Sequence, residues 1–135
     1  MNPVIQLPVS TLAKRIRHGE LSAVEVVDAH IERIQRINPA LNALVADCFD
    51  SARQEAREAD ALVAASASPE ALPPLLGVPF TAKEFMKAAG MPHTAGSVHR
   101  VGVVADGDAP VITRMRDAGA ILLGLTNVPE GGLWM

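Results

Sequence analysis

The run PLLGVPFTAKEFMKAAGMPHTAGS (Pro74–Ser97), taken with GDAPVITRMRDAGAILLGLT (Gly107–Thr126), decides the fold class. In LLGVPFTAKEF, Val78, Phe80 and Ala82 alternate with Pro79, Thr81 and Lys83, which is the period of a strand. Pro79 has no N–H for a ladder, so this strand belongs at an edge or is irregular there. A turn-rich stretch follows, with room for a short strand around His93–Ala95. Asp108 then stands as a helix cap, Pro110 falls in the first turn, and Ile112, Met115 and Ala118 make one helical face. Gly119 suits the left-handed position that ends a helix. Ala120–Thr126 is a continuous apolar run, as a buried strand needs. Strand, helix and strand in that order predict parallel pairing in a sheet covered on both faces. The expected class is α/β.

Upstream, residues 1–66 read as a helical region. Ser10 is placed to cap a first helix that carries Leu12 and Ile16 and stops at Gly19. Ser22 and Glu25 have capping-box spacing for a second helix, with Val24, Val27, Ile31 and Ile34 along one face. Asn38-Pro39 is expected to end it, because proline pushes the preceding residue out of the helical region. Asp50 is placed to cap a third, with Ala52, Ala56, Ala59 and Val63 inward and Arg53, Glu55, Arg57 and Glu58 on a solvated face. Ser66–Pro74 is a loop by composition. Residues 75–135 then form the first part of an α/β core. The sheet looks incomplete, because the chain reaches EGGLWM, with apolar Trp134 and Met135, just after its most buried strand.

The 135 residues suit one domain, 49% hydrophobic and 20% charged, with a core that must be aliphatic because there are only three Phe, one Trp and no Tyr. A net charge of −3 without a basic block argues against nucleic acid as a partner. Cys48 stands alone, so no internal disulfide is available and a reducing, cytoplasmic location is expected. MNPVIQLPVS lacks the charged start and apolar centre of a signal peptide, and no apolar run approaches the ~18 residues of a membrane span.

Lys83 is the residue most open to a chemical reading. A solvated strand lysine is the ordinary case. Burial, however, disfavours the ammonium, and a neutral amine can accept a proton near neutral pH. Among the serines only Ser97 follows Lys83, and it reads as a turn serine; a Ser97–Lys83 dyad has no further support. His18, His30, His93 and His99 lack metal spacing, and Asp106 with Asp108 is too isolated a pair. Cys48 reads as a small buried hydrophobe. GLTNVPEGG has neither P-loop nor dinucleotide spacing. No metal and no cofactor is expected.

LLGVPFTAKEF, GMPHTAGS and DAPVITRMRDAGAILLGLTNVPE, in this order, make residues 75–135 resemble the amidase signature family of serine hydrolases. LSAVEVVDAHIERIQRINPALNALV is more loosely similar to that family's helical N-terminal region. The form GVPFTAKE…GMP…TNVPE is similar to the branch holding fatty-acid amide hydrolase-like enzymes. The resemblance implies a mixed α/β/α sheet, a small-molecule amide substrate, and a serine–cis-serine–lysine triad in which Lys83 is the base. It also implies that Gly131, Gly132 and Leu133 help to line the substrate pocket. Both triad serines of the family lie in a Gly/Ser-rich region beyond the TNVPE-like segment, and this sequence contains no Gly-Ser-Ser. The expectation is the N-terminal part of a single amidase domain, inactive alone. The alternatives are a non-catalytic fragment that associates through an exposed sheet edge, or part of an aminoacyl-tRNA amidotransferase of the A type.

Overall fold

The computed structural model describes residues 2–133. Four helices surround a three-stranded sheet: α1 (Val9–Arg17), α2 (Ala23–Leu41), β1 (Leu44–Asp47), α3 (Phe49–Ala65), β2 (Pro79–Lys83), α4 (Pro110–Asp117) and β3 (Ile121–Thr126). Strand order is β1-β3-β2. β2 runs parallel to β3, the pairing predicted for a strand–helix–strand unit, and β1 runs antiparallel to it, so the sheet is mixed. β1 lies within the region expected to be wholly helical. Its alternating buried and open residues, over only four positions, were too brief a signal to separate from the flanking helices.

Burial of β3 organises the packing. Ile121 and Leu123 enter one apolar cluster with Ile16 of α1, Val26, Val27 and Ile31 of α2, and Ala52, Ala56 and Ala59 of α3. Leu122 and Leu125 enter a second cluster with Ala82 of β2, Ile112 of α4, and Ala88 and Met91 from the connection. The sheet is therefore covered on both sides. Val78 joins the first cluster while Phe80 and Ala82 join the second, correcting the single face expected for all three. The register shift beside Phe80 and Thr81 falls on β3, where Leu123 is the extra residue between their partners, so Leu122 and Leu125, three apart, share a cluster. Val78 also precedes the ladder, with its N–H turned back to the Leu75 carbonyl at 3.0 Å.

Helix ends depart from the local reading in an instructive way. Ser22 does cap α2, accepting from the Glu25 N–H at 3.0 Å. Asp60 on α3 reinforces it, accepting from the Ala23 and Val24 N–H groups at 2.6 and 3.2 Å and placing negative charge at the positive helix end. Pro39 does not stop α2, which continues to Leu41 and closes at Asn42, in the left-handed region at φ 49°. Asn38 stays helical because its amide clamps both the N–H and the carbonyl of Leu44, each at 2.8 Å, and so directs the chain into β1. Ser10 lies inside α1, whose cap is Pro8; Asp50 lies inside α3, whose cap is Cys48. Asp108 precedes the α4 cap Ala109 and makes no cap bond. On α3, Arg53 bonds Asp28 at 2.8 Å and Glu55 pairs with Arg116 at 3.3 Å, so the face expected to be solvated is half engaged with neighbours. Around His93 there is a single antiparallel bridge, Pro92 to Val104, instead of a strand. Gly119, at φ 88°, ends α4 as expected. The apolar terminus expected at Trp134 and Met135 lies outside the described residues.

At Gly124 the main chain of β1 leaves no room for a Cβ, which would collide with the Ala46 carbonyl oxygen. Gly124→Ala should destabilise the chain by about 1–3 kcal/mol through forced separation of the two strands. A urea midpoint equal to that of the unsubstituted protein would disprove the tight approach.

Candidate active site at the carboxyl ends of the parallel strands

Lys83 ends β2 and is in register with Thr126, which ends β3. The two parallel strands thus point their carboxyl ends the same way, and the segment after each turns over the same edge. In open α/β sheets this end is where ligands bind, because the loops there diverge and leave backbone groups unpaired. Thr126 donates from Oγ1 to the Ala82 carbonyl at 3.2 Å, and Glu84 N–H continues the ladder to the Thr126 carbonyl at 3.0 Å. The main chain on both sides of Lys83 is therefore pinned.

Its side chain is not. Lys83 is exposed, and its Nζ lies 3.5 Å from the Asn127 carbonyl, a long and weak contact. The dry environment expected around this amine is not provided by the described residues. The reason lies in the sheet order: β2 is an edge strand, and the clusters that cover the sheet take Ala82 and leave Thr81 and Lys83 outward.

Three short segments meet beside this strand end. The Ser97 hydroxyl donates to Glu130 at 2.8 Å, and the Gly131 N–H donates to the Ala95 carbonyl at 2.7 Å. The TAGS loop and the Glu130–Gly132 turn are thereby joined. Ser97 is engaged with a carboxylate, and the dyad with Lys83 is not formed. Phe85, two residues after Lys83 and 42% exposed, flanks the turn: a Cβ at Gly132 would lie 3.5 Å from its ring. Leu133 is 79% exposed beyond it. Of Gly131, Gly132 and Leu133, Gly132 thus sits next to an aromatic ring that sequence reasoning did not single out. An aromatic two residues after the lysine was the available signal.

The remaining candidates have structural roles. Asp106 receives a hydrogen bond from Lys87 at 3.0 Å, which, with the lysine's charge, holds its carboxyl below the ordinary value. Asp108 accepts from the Ala89 N–H at 2.7 Å and pairs with Arg116 at 3.1 Å. Both carboxylates already face cations. Among the described residues no group of three or more His, Cys, Asp and Glu side chains could hold a metal ion, and no helix is long and apolar enough to cross a membrane. His30 bonds the Val26 carbonyl one turn back on α2. A cleft of about 590 Å³ opens between the end of α2 and β1, lined by Gln35, Asn38, Asp47 and Phe49. That cleft contains no lysine and no serine, and the strand-end site has the better claim.

A family model described as Amidase matches residues 25–135. Fatty-acid amide hydrolase 2-B of Danio rerio is 46% identical over 138 residues, covering 99% of this chain and 26% of its own length. The A-type glutamyl-tRNA(Gln) amidotransferase subunit of Acidothermus cellulolyticus is 40% identical, over 96% of this chain and 25% of its own length. Among solved structures, native peptide amidase from Stenotrophomonas maltophilia superposes with a TM-score of 0.82 at 34% identity, over 95% of this chain and 26% of that one. The chain spans about a quarter of the length of the curated relatives it matches.

Cys48 is unsuited to nucleophilic work. Burial pushes its thiol above the ordinary value, and Sγ points at the Leu122 carbonyl, 3.1 Å away inside the sheet. At pH 8 it therefore carries less thiolate folded than unfolded. Iodoacetamide should modify it at least about tenfold more slowly in the native chain than in urea; equal rates would reopen the question.

Proposed function

This chain belongs to the amidase family, and on that premise we propose that it is the lysine-bearing part of an amidase that cleaves carboxylic amides to an acid plus an amine or ammonia. The domain division is part of the proposal: residues 1–135 as the N-terminal portion of one amidase domain, with residues 75–135 opening its signature core. Lys83 is the base. Its neutral amine takes the proton of the nucleophilic serine through a bridging serine, as that serine attacks the amide carbonyl. The proton is then passed to the departing nitrogen, and water releases the acid from the acyl-enzyme. Backbone N–H groups stabilise the oxyanion. Gly131, Gly132 and Leu133, beside Phe85, form the first stretch of the pocket wall.

One observation carries this reading. A lysine stands at the carboxyl end of a parallel strand whose main chain is pinned on both sides, next to a turn tied by hydrogen bonds to the TAGS loop. The exposure of Lys83 is consistent with it, because both serines and the layer that would dry the amine belong to sequence beyond TNVPE. By itself the 135-residue chain is then without turnover.

A second reading, the A-type component of an aminoacyl-tRNA amidotransferase, draws on the similarity to the Acidothermus protein. Release of ammonia from glutamine, with no hydrolysis of aryl amides, would favour it. Residues 1–135 should show no turnover of aryl amides or esters. In a polypeptide extended through the family's serine region, Lys83→Ala should lower kcat on aryl amides by about 10²–10⁴-fold, the usual worth of a positioned base. Full activity in that variant would remove Lys83 from the mechanism.

A further inference from the structure

We propose that Glu84 is the positioning residue of this site, its buried carboxylate holding the Thr94–Ser97 loop against the strand end that carries Lys83. The catalytic consequence rests on the Lys83 reading above; the tether does not.

Glu84 is 3% exposed and is the one charged side chain buried among the described residues. Taking a carboxylate out of water costs several kcal/mol unless hydrogen bonds or a cation compensate. Glu84 accepts the Thr94 N–H through Oε1, while Oε2 is buried without a partner among the described residues. Such a group is poorly explained by stability, since an apolar side chain of similar size would fill the space at less cost.

What it holds explains it better. Thr94 is the root of the loop: its carbonyl accepts the Ser97 N–H at 3.1 Å and its hydroxyl accepts the Gly96 N–H at 3.2 Å. Ala95 between them is in the left-handed region at φ 52°, a conformation that costs a non-glycine residue roughly 1–2 kcal/mol and persists only when its surroundings enforce it. In that conformation the Ala95 carbonyl receives the Gly131 N–H, and Ser97 reaches Glu130. Glu84 follows Lys83 in the chain, and its own N–H is fixed to Thr126. One carboxylate thus links the strand end that bears the base to the loop that carries the Glu130–Leu133 wall. Lys83 and Glu84 leave opposite faces of one strand, so tethering the second sets the height of the first relative to that wall.

The test uses the polypeptide extended through the serine region. Glu84→Met keeps the length of the side chain and removes the acceptor; Glu84→Gln keeps an acceptor without the charge. Hydrogen exchange on peptides spanning residues 91–98 should accelerate at least about tenfold in the Met variant and stay within about twofold in the Gln variant. Acylation by an aryl ester should slow about 10–100-fold in the Met variant, the scale of a misplacement of about 1 Å, with the burst amplitude retained. A merely structural loss would instead shrink the amplitude at an unchanged rate, and that result overturns the proposal. Unchanged exchange in folded Glu84→Met overturns it too. Should that variant fail to fold, Glu84→Gln decides, because accelerated loop exchange in the Gln form contradicts an acceptor-based tether and native exchange supports it. Lys83→Ala separates the two readings. Its loop exchange should be native whatever it does to hydrolysis, so surviving activity would sink the assigned base while leaving the tether in place.

Discussion

Everything in this chain is placed by reference to β3. It is the central strand, antiparallel to β1 over Gly124–Thr126 and parallel to β2 from Ile121 to Thr126, and it buries apolar side chains toward both sides of the sheet. A central strand with apolar residues on both faces must be covered twice. The helices α1–α3 supply one cover, and α4 with the Ala88–Met91 stretch supplies the other. Lys83 and Thr126 end together because the register between β2 and β3 makes them end together.

Polar side chains do a second job, joining segments far apart in sequence. Asp60 caps a helix 37 residues upstream, Asn38 turns α2 into β1, and Glu84 reaches the loop ten residues on. In each case a side chain satisfies backbone groups that would otherwise face the interior unpaired. Ser10, Asp50 and Asp108 look as suitable for local capping, yet none does it. Asp108 bonds instead to Ala89 and faces Arg116, which also meets Glu55 of α3. A capping residue has a choice of partners, and the tertiary contacts make that choice.

Lys83 is exposed where a dry setting was expected for it, and the neighbouring Glu84 is buried. Both project from the end of an edge strand, on opposite faces. The face carrying Ala82 and Glu84 is covered by the connection to α4, while that of Thr81 and Lys83 is open.

The α/β class, the parallel pairing of β2 with β3, the inward alanines of α3 and the Gly119 stop were legible from periodicity and turn chemistry, which are local properties. So was the family, carried by the order and spacing of the Leu75–Glu130 segments. β1 was not, because four residues form a strand only when a neighbouring edge offers them a ladder, and that edge lies some eighty positions away. Nor was the continuation of α2 past Pro39, which depends on the Asn38 clamp to Leu44. The pairing of Ser97 with Glu130, the aromatic wall at Phe85 and the burial of Glu84 also depend on contacts between segments that only folding brings together. Local sequence sets what each segment prefers to be; the satisfaction of buried polar groups across the whole structure decides which preference survives.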